Sequence, residues 1–195
     1  MTAGANVFFA LWLQKPLRIA AANPSGARLA DAVARCIDLA RSGPVLELGA
    51  GTGSLTQGLV RAGCLPERII ALEREPALVA VLRRQFPAIT VIAGDATRIG
   101  EYLARSVERF AGVVSSLPIK WFPAAAQHAV VRPCLDILEP DGRFVQLTNA
   151  FLSPLPVDRL GIAGHEVARV WLNLLPTQIL VYSDRAPSIG HGAAQ

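Results

Sequence analysis

No stretch of this chain stays free of charge for the eighteen or so residues that a membrane-spanning helix needs. The longest charge-free runs include 1–14 and 144–157, and the second is interrupted by Pro154 and Pro156. No transmembrane segment is expected. The opening also lacks a basic stretch before its apolar run and a small-residue cleavage site, so no signal peptide is expected. Cysteine is scarce: Cys36, Cys64 and Cys134 are odd in number, far apart and set among apolar residues. That excludes a disulfide framework or a zinc knuckle and makes the cytoplasm the expected compartment. Charge is sparse as well, at 17% of residues against 52% hydrophobic, with 16 Gly and 14 Pro. Disordered tails, collagen-like chains and coiled-coil rods are excluded by such a composition. The net charge of +4 falls short of the basic stripe of a nucleic-acid binder, and charge alone does not choose between nucleic acid, anionic lipid and neither. Internal repeats and low-complexity tracts are absent.

A globule remains, and 195 residues suit one full core with small appendages. The basic excess is placed early, with five basic and two acidic residues before Gly43. There Phe8, Phe9, Leu11, Trp12 and Leu13 form an apolar cluster, followed by Lys15, Pro16, Leu17, Arg18 and Ile19. On a helical period Phe8, Trp12 and Phe9 share a flank, and Pro16 kinks or restarts the helix. Two readings stand side by side. The segment is an interfacial helix, with rings at headgroup depth and Lys15 and Arg18 near lipid phosphate, or it lies across the domain's own sheet. After Asn23-Pro24-Ser25-Gly26, the pattern Leu29, Val33, Ile37, Leu39, Ala40 predicts an amphipathic helix that Ser42-Gly43-Pro44 ends.

From there strand and helix signals alternate. Strands are expected at 45–48, 68–72, 90–93, 111–115 and 143–148, with helices at 54–61, 76–85, 98–109 and 123–138. Repeated units of this kind make a parallel sheet with helices on both faces. The segments 166–172 and 177–182 predict a terminal hairpin that finishes the sheet.

The first strand runs through Glu47 into Gly49-Ala50-Gly51-Thr52-Gly53-Ser54, a glycine turn that opens a helix and lets a ligand approach the backbone closely. The nicotinamide fingerprint occupies the same place, but here its sixth position is Ser54 and a carboxylate precedes the first glycine. Glu47 could attract the sulfonium and amino group of S-adenosylmethionine, whereas it would repel a dinucleotide's pyrophosphate. Glu73 follows the next strand, twenty residues after Gly53, and suits a carboxylate at that strand's tip that accepts from both ribose hydroxyls; the alternative is a solvated charge beside Arg74 and Glu75. Asp95 ends the third strand, where it could accept from an adenine amine while Ala96 supplies a backbone donor, or could simply cap the next helix. The turn and the ordered set Glu47, Glu73, Asp95 resemble the S-adenosylmethionine-dependent methyltransferase superfamily over about 45–183. The resemblance implies an α/β, Rossmann-like class I fold, with a seven-stranded, mostly parallel sheet, a C-terminal antiparallel hairpin and helices on both faces.

The fourth strand empties into Ser115-Ser116-Leu117-Pro118-Ile119-Lys120-Trp121-Phe122-Pro123. Methyltransferases acting on the adenine amine carry here an Asn or Asp, a small or apolar residue, Pro and an aromatic that stacks on the base. Ser116 can make one such hydrogen bond. Ile119 offers no ring, although Trp121 or Phe122 could substitute in part. Together with 8–18, Asn23-Pro24-Ser25 and Trp171-Leu172-Asn173-Leu174-Leu175-Pro176, this segment resembles the small bacterial phospholipid N-methyltransferases, relatives of the ribosomal RNA adenine dimethylases.

That resemblance implies stepwise conversion of phosphatidylethanolamine to phosphatidylcholine with S-adenosylmethionine as cofactor. It implies a peripheral enzyme on the cytoplasmic face of the inner membrane, where an anionic surface and the lipid are the partners; no protein or nucleic-acid partner is implied. Residues 1–42 would cover the acceptor and touch the membrane through Phe8, Phe9, Trp12, Lys15 and Arg18, with Lys120 a further phosphate contact. Residues 43–185 would be the core and 186–195 a tail. Ser25, Glu47, Gly49, Ala50, Gly51, Thr52, Gly53, Glu73, Arg74, Asp95, Ala96 and Ser115 are the expected cofactor contacts. Ser115, Ser116, Leu117 and Pro118 are expected to orient the amine by hydroxyl and carbonyl oxygens. His128, His165 and His191 are read as structural or solvated, Tyr102 is a weaker alternative at the acceptor, and no constellation proposes a metal. The rival functions are RNA adenine methylation, a noncatalytic cofactor-binding membrane module and a soluble small-molecule methyltransferase.

Overall fold

The computed structural model describes residues 24–104, 108–148, 155, 157–172 and 175–183. Its strands are β1 (Val45–Leu48), β2 (Ile69–Glu73), β3 (Thr90–Ala93), β4 (Phe110–Ser115), β5 (Leu138–Thr148), β6 (Ala163–Leu172) and β7 (Leu175–Ser183). They form one seven-stranded sheet in the order β3-β2-β1-β4-β5-β7-β6. The first five are parallel, and β7 runs antiparallel to both β5 and β6. The expected class I architecture is therefore present, with the chain order reversing direction at β1. In open α/β sheets the crevice at such a reversal, outside the carboxyl ends of the strands, is where ligands bind.

The α-helices among the described residues are α1 (Pro24–Ala34), α2 (Ser54–Arg61), α3 (Pro76–Gln85), α4 (Ile99–Leu103), α5 (Ala124–Asp136) and α6 (Val157–Leu160). Central strands covered on both faces read as continuous apolar runs, and every residue of β1 and β4 is buried. Side chains alternate across the sheet. Val45, Val114 and Val145 join Leu29, Val33, Leu55, Leu59 and Leu82 on one face. Leu46, Val113 and Phe144 join Ile99, Val130 and Cys134 on the other. Residues 29–37 contribute to the first of these clusters directly, so α1 packs as part of the core.

Several boundaries differ from expectation, and the helix expected at 98–109 stops at Leu103, behind a 3-10 turn at Ala96–Arg98. The first helix ends at Ala34; the Cys36 carbonyl accepts the Arg143 guanidinium, and Ile37 packs over Gly112, where a Cβ would lie 2.4 Å from its Cδ1. Ile37 thus keeps its place in the core without belonging to the helix. β5 begins at Leu138, because Phe110 pairs with Leu138 and the register then slips so that Gly112 meets Arg143. Asp141, at φ 64°, lies in that irregular stretch. The hairpin is longer than expected, with a register shift between Glu166 and Ala168.

Gly58 shows how tightly α1 and α2 cross: a Cβ there would lie 2.3 Å from the Ala30 Cβ and 3.1 Å from Ala30 backbone atoms. A branched side chain would have to push the helices apart, since backbone cannot swing away. Gly58→Val is expected to lower stability by about 2 kcal/mol or more. The measurement is the denaturant midpoint followed by circular dichroism; an unchanged midpoint would show that the contact is slack.

Candidate functional site

The carboxyl ends of β1, β2 and β4 are laced together one residue beyond the regular ladder. Gly49 and Ala50 both donate to the Leu72 carbonyl, at 2.9 and 3.2 Å, Gly94 donates to the Glu73 carbonyl at 3.0 Å, and Ser116 donates to the Leu48 carbonyl at 3.1 Å. Gly49, Gly51 and Gly53 hold φ of 74°, 59° and 84°, a region costly for residues with a Cβ. Gly53 is the cap from which α2 starts.

Alternation puts Glu47 on the face covered by α2, and it is fully buried. Its Oε2 accepts from the Thr56 hydroxyl at 2.5 Å, while Oε1 is buried with no partner. Burial pushes its carboxyl from 4.5 up to about 7, against the opposing hydrogen bond from Thr56 and with the help of the Glu73 charge. The Thr52 and Ser54 hydroxyl oxygens are likewise buried and unpartnered, so three such atoms gather around one turn. Buried polar atoms are normally satisfied, and a cluster of exceptions is where a ligand belongs.

Glu73 is not a solvated charge. It is 6% exposed, its Oε2 accepts from Gly51 N–H at 2.8 Å, and its Oε1 accepts from the N–H groups of Arg74 and Glu75 at 2.8 and 2.9 Å. The carboxylate braces the glycine turn from the adjacent strand. Asp95 does cap the following turn: Oδ1 accepts from the backbone and the hydroxyl of Thr97 at 2.9 and 2.8 Å. Burial raises its carboxyl, but the Thr97 hydrogen bonds and the Arg74 charge together hold it below the ordinary value. Its Oδ2 lies 3.7 Å from Arg74, and Ala96 starts the turn behind it. Tyr102 lies over Gly94, since a Cβ on Gly94 would be 2.3 Å from its hydroxyl. With strands about 4.8 Å apart, that position is three strand steps, about 14 Å, from β4. Tyr102 therefore belongs to the β3 end, away from the acceptor loop.

At the acceptor end, Ser116 is 5% exposed and its Oγ donates to the Gly49 carbonyl at 2.7 Å. The proton of that hydroxyl is thereby committed, and its lone pairs face whatever approaches. Ser115 is fully buried, with its Oγ accepting from Leu117 N–H at 3.4 Å. The Leu117 carbonyl already accepts from Ile119 N–H at 2.8 Å and from Gln146 Nε2 at 2.9 Å. Both lone-pair directions are taken, so this carbonyl is not free to hold an amine, contrary to expectation. The Leu117 side chain packs on Gly49, where a Cβ would lie 2.7 Å away, and Pro118 is partly buried.

Sequence reasoning missed Thr56, Gln127 and Gln146. Gln127 Nε2 holds the Ile119 carbonyl at 3.0 Å as Gln146 holds that of Leu117, so two buried amides pin the loop. Their only sequence signal is a polar residue in an otherwise apolar register of β5 and α5. Of the remaining expected residues, Lys120 and His128 are exposed. Ser25 lies in the first turn of α1, its side chain outside the described residues. Phe8, Phe9, Trp12, Lys15, Arg18 and His191 also lie outside them. Among the described residues there is no cluster of His, Cys, Asp or Glu suited to a metal.

A family profile described as a methyltransferase domain matches residues 45–142. The ornithine lipid N-methyltransferase of Singulisphaera acidiphila is 33% identical over 150 residues, which cover 73% of this chain and 77% of that protein. The probable ribosomal RNA small subunit methyltransferase A of Methanosarcina mazei is 40% identical over 91 residues, 45% of this chain but 30% of that protein. Among solved structures, the N-methyltransferase NodS from Bradyrhizobium japonicum, in complex with S-adenosyl-L-homocysteine, superposes with a TM-score of 0.65 at 13% identity, covering 84% of this chain and 89% of that one.

The cofactor is S-adenosylmethionine, and the turn fits it: glycines leave room at the backbone, and a buried carboxylate oxygen awaits a cation. Because the Glu47 carboxyl titrates near 7, its charge is missing at pH 5.5 and present at 8. Cofactor affinity is expected to rise across that interval, by at most about tenfold per pH unit for one linked proton, and to level off above it. The folded chain binds more protons than the unfolded one between about 4.5 and 7, so the cofactor-free protein loses stability as pH rises through that window. Glu47→Gln should flatten both profiles in calorimetric titrations and thermal melts; pH-independent binding by the wild type would remove Glu47 from the site.

Proposed function

The chain belongs to the methyltransferase-domain family and is an S-adenosylmethionine-dependent methyltransferase, and from that premise we propose that it methylates the headgroup amine of a membrane lipid. The substrate named by the sequence resemblance is phosphatidylethanolamine, taken with its mono- and dimethyl derivatives to phosphatidylcholine. A second substrate, ornithine lipid, is favoured by the Singulisphaera relative, and it presents the same kind of primary aliphatic amine.

The acceptor loop carries this reading. Ile119, at the position where a base-stacking ring would stand, is 1% exposed and packed in the core. Phe122 packs against the same core cluster and Trp121 is 63% exposed, so neither ring closes over Ser116. An alkyl amine needs no aromatic platform, whereas an adenine held for methylation does. The Methanosarcina ribosomal RNA relative matches 45% of this chain against 73% for the lipid relative, and RNA remains an outcome of the assay.

When bound, S-adenosylmethionine supplies a methyl group made electrophilic by its sulfonium. The protein's part is to hold, align and dehydrate. Glu47 would complement positive charge with its unpartnered oxygen, and Thr52 and Ser54 would satisfy polar groups on the same side of the turn. Glu73 would meet a ribose hydroxyl from the end of β2 through the acceptor position left on Oε2, and Asp95, Arg74 and Ala96 would flank the base at β3. Ser116, its own proton given to Gly49, would accept an N–H from the neutral amine and aim the nitrogen lone pair in line with the bond that breaks. Such alignment is worth several orders of magnitude when the reacting atoms are held near contact. An ethanolamine nitrogen is mostly protonated near neutral pH, so its proton must leave for water before attack.

A working position on the cytoplasmic face of a membrane, as a peripheral protein, belongs to the same proposal; no described helix is long and apolar enough to cross one.

The test is transfer of labelled methyl from S-adenosylmethionine into vesicles of phosphatidylethanolamine with phosphatidylglycerol, beside vesicles of ornithine lipid and structured RNA. Lipid product is expected, with mono-, di- and trimethyl species resolved by chromatography. Label in RNA alone would replace the reading, and tight cofactor binding with no product anywhere would make the protein a binding module. Ser116→Ala should lower kcat by about tenfold to a hundredfold, with a smaller weakening of cofactor Kd through the lost bond to the Gly49 carbonyl.

A further inference from the structure

Ile119–Trp121 form one 3-10 turn directly after the acceptor loop, and its residues divide sharply. Ile119 is 1% exposed and Trp121 63%. The turn is not free to swivel its ring inward, because its base is fixed. The carbonyls of Leu117 and Ile119 accept from the buried amides of Gln146 and Gln127, and Trp121 N–H donates to the Pro118 carbonyl at 3.0 Å. Burying an indole is among the larger apolar gains a fold can make. Here the fold holds it out, in the company of only one other large apolar side chain, Leu65, among the described residues.

The ring's neighbour has chemistry of its own. Lys120 Nζ lies 5.5 Å from the Trp121 ring centroid. Lys120 makes no ion pair with the described residues, whereas every ion pair among them uses an arginine. Lysine is itself rare here, found at positions 15 and 120 alone. An ammonium over an amphipathic ring, with no ion pair among the described residues, suits a headgroup layer, with the indole at the boundary of acyl chain and headgroup and the ammonium among phosphates. A nucleic-acid strand asks instead for several cations along a groove, which one lysine does not provide.

We propose that the Lys120–Trp121 step is where the acceptor end of this protein enters an anionic bilayer surface. The inference rests on the lipid reading above. Trp121 follows Ser116 by five residues, at most about 17 Å of chain, so the depth at which the ring settles fixes the height of the acceptor hydroxyl relative to the headgroup amines.

The experiment compares wild type, Trp121→Ala and Lys120→Glu, all shown to keep cofactor affinity and melting temperature. Binding is read by co-sedimentation with phosphatidylethanolamine–phosphatidylglycerol vesicles. Methyl transfer is read on those vesicles and on a short-chain aminolipid kept monomeric below its critical micelle concentration. Trp121→Ala is expected to lose about threefold to tenfold in vesicle binding and in vesicle kcat/KM, with turnover of the monomeric lipid unchanged. Lys120→Glu is expected to lose vesicle binding most at low salt and to lose its dependence on phosphatidylglycerol. Unchanged vesicle binding by Trp121→Ala would overturn the inference, as would an equal loss on monomeric lipid, which would put the ring at the reacting amine. If wild type methylates neither lipid, the functional reading fails, and the sedimentation arm still decides whether this step is a membrane contact. Loss of RNA binding rather than vesicle binding would transfer the surface to a different partner.

Discussion

Glu47 is a carboxylate that folding has taken wholly out of water and given one hydroxyl donor. A charge in that position costs several kcal/mol unless it is neutralised or fully paired, and here the remaining oxygen has nothing. The rest of the site follows from this constraint. β1 lies between two parallel neighbours, so the side chain cannot turn outward, and the face it shares with α2 brings Thr56 to it. Burial favours the protonated carboxyl in the cofactor-free protein, and on the proposed reading a cation beside the remaining oxygen would reverse that balance. The other two strand-end carboxylates are neutralised separately, Glu73 by three backbone N–H groups and Asp95 by Thr97 and Arg74. Three acidic residues can therefore share one sheet edge without dispersing it.

Much of the scaffold was legible because it is written in periods. The runs at 45–48, 54–61, 76–85 and 90–93 were recognisable from apolar spacing and glycine or proline punctuation, and the elements have those limits. Glu47, Glu73 and Asp95 could be placed at strand tips for the same reason. What could not be read depends on contacts between elements. Ile37 keeps a helical period yet reaches the core from a turn, because Gly112 leaves it room. The start of β5 hides behind Pro140-Asp141-Gly142, a turn signal that proves to be an irregularity within a strand. The commitment of the Leu117 carbonyl comes from Gln146, twenty-nine residues away and unremarkable in sequence.

The two halves of the site are mechanically one. The Ser116 hydroxyl holds the carbonyl of the first turn glycine, and Leu117 lies against the space where that glycine lacks a Cβ. Any movement of the turn on filling the cofactor side is felt directly by the residue that would meet the acceptor. Behind that contact the two buried amides keep the loop from yielding, which is why one end of the same segment can be rigid while its next residues stand in solvent.

The bond from Ser116 to Gly49 has a consequence for repeated turnover. A hydroxyl whose proton is spoken for can hold an amine only through the amine's own N–H groups. On the proposed reading a primary amine brings two, its monomethyl product one and its dimethyl product none. Each completed round removes a handle by which the next would be gripped, so the final quaternising step is the one this serine cannot assist. Partly methylated headgroups should then leave more readily than they are finished, a bias toward release that arises from counting hydrogens on nitrogen.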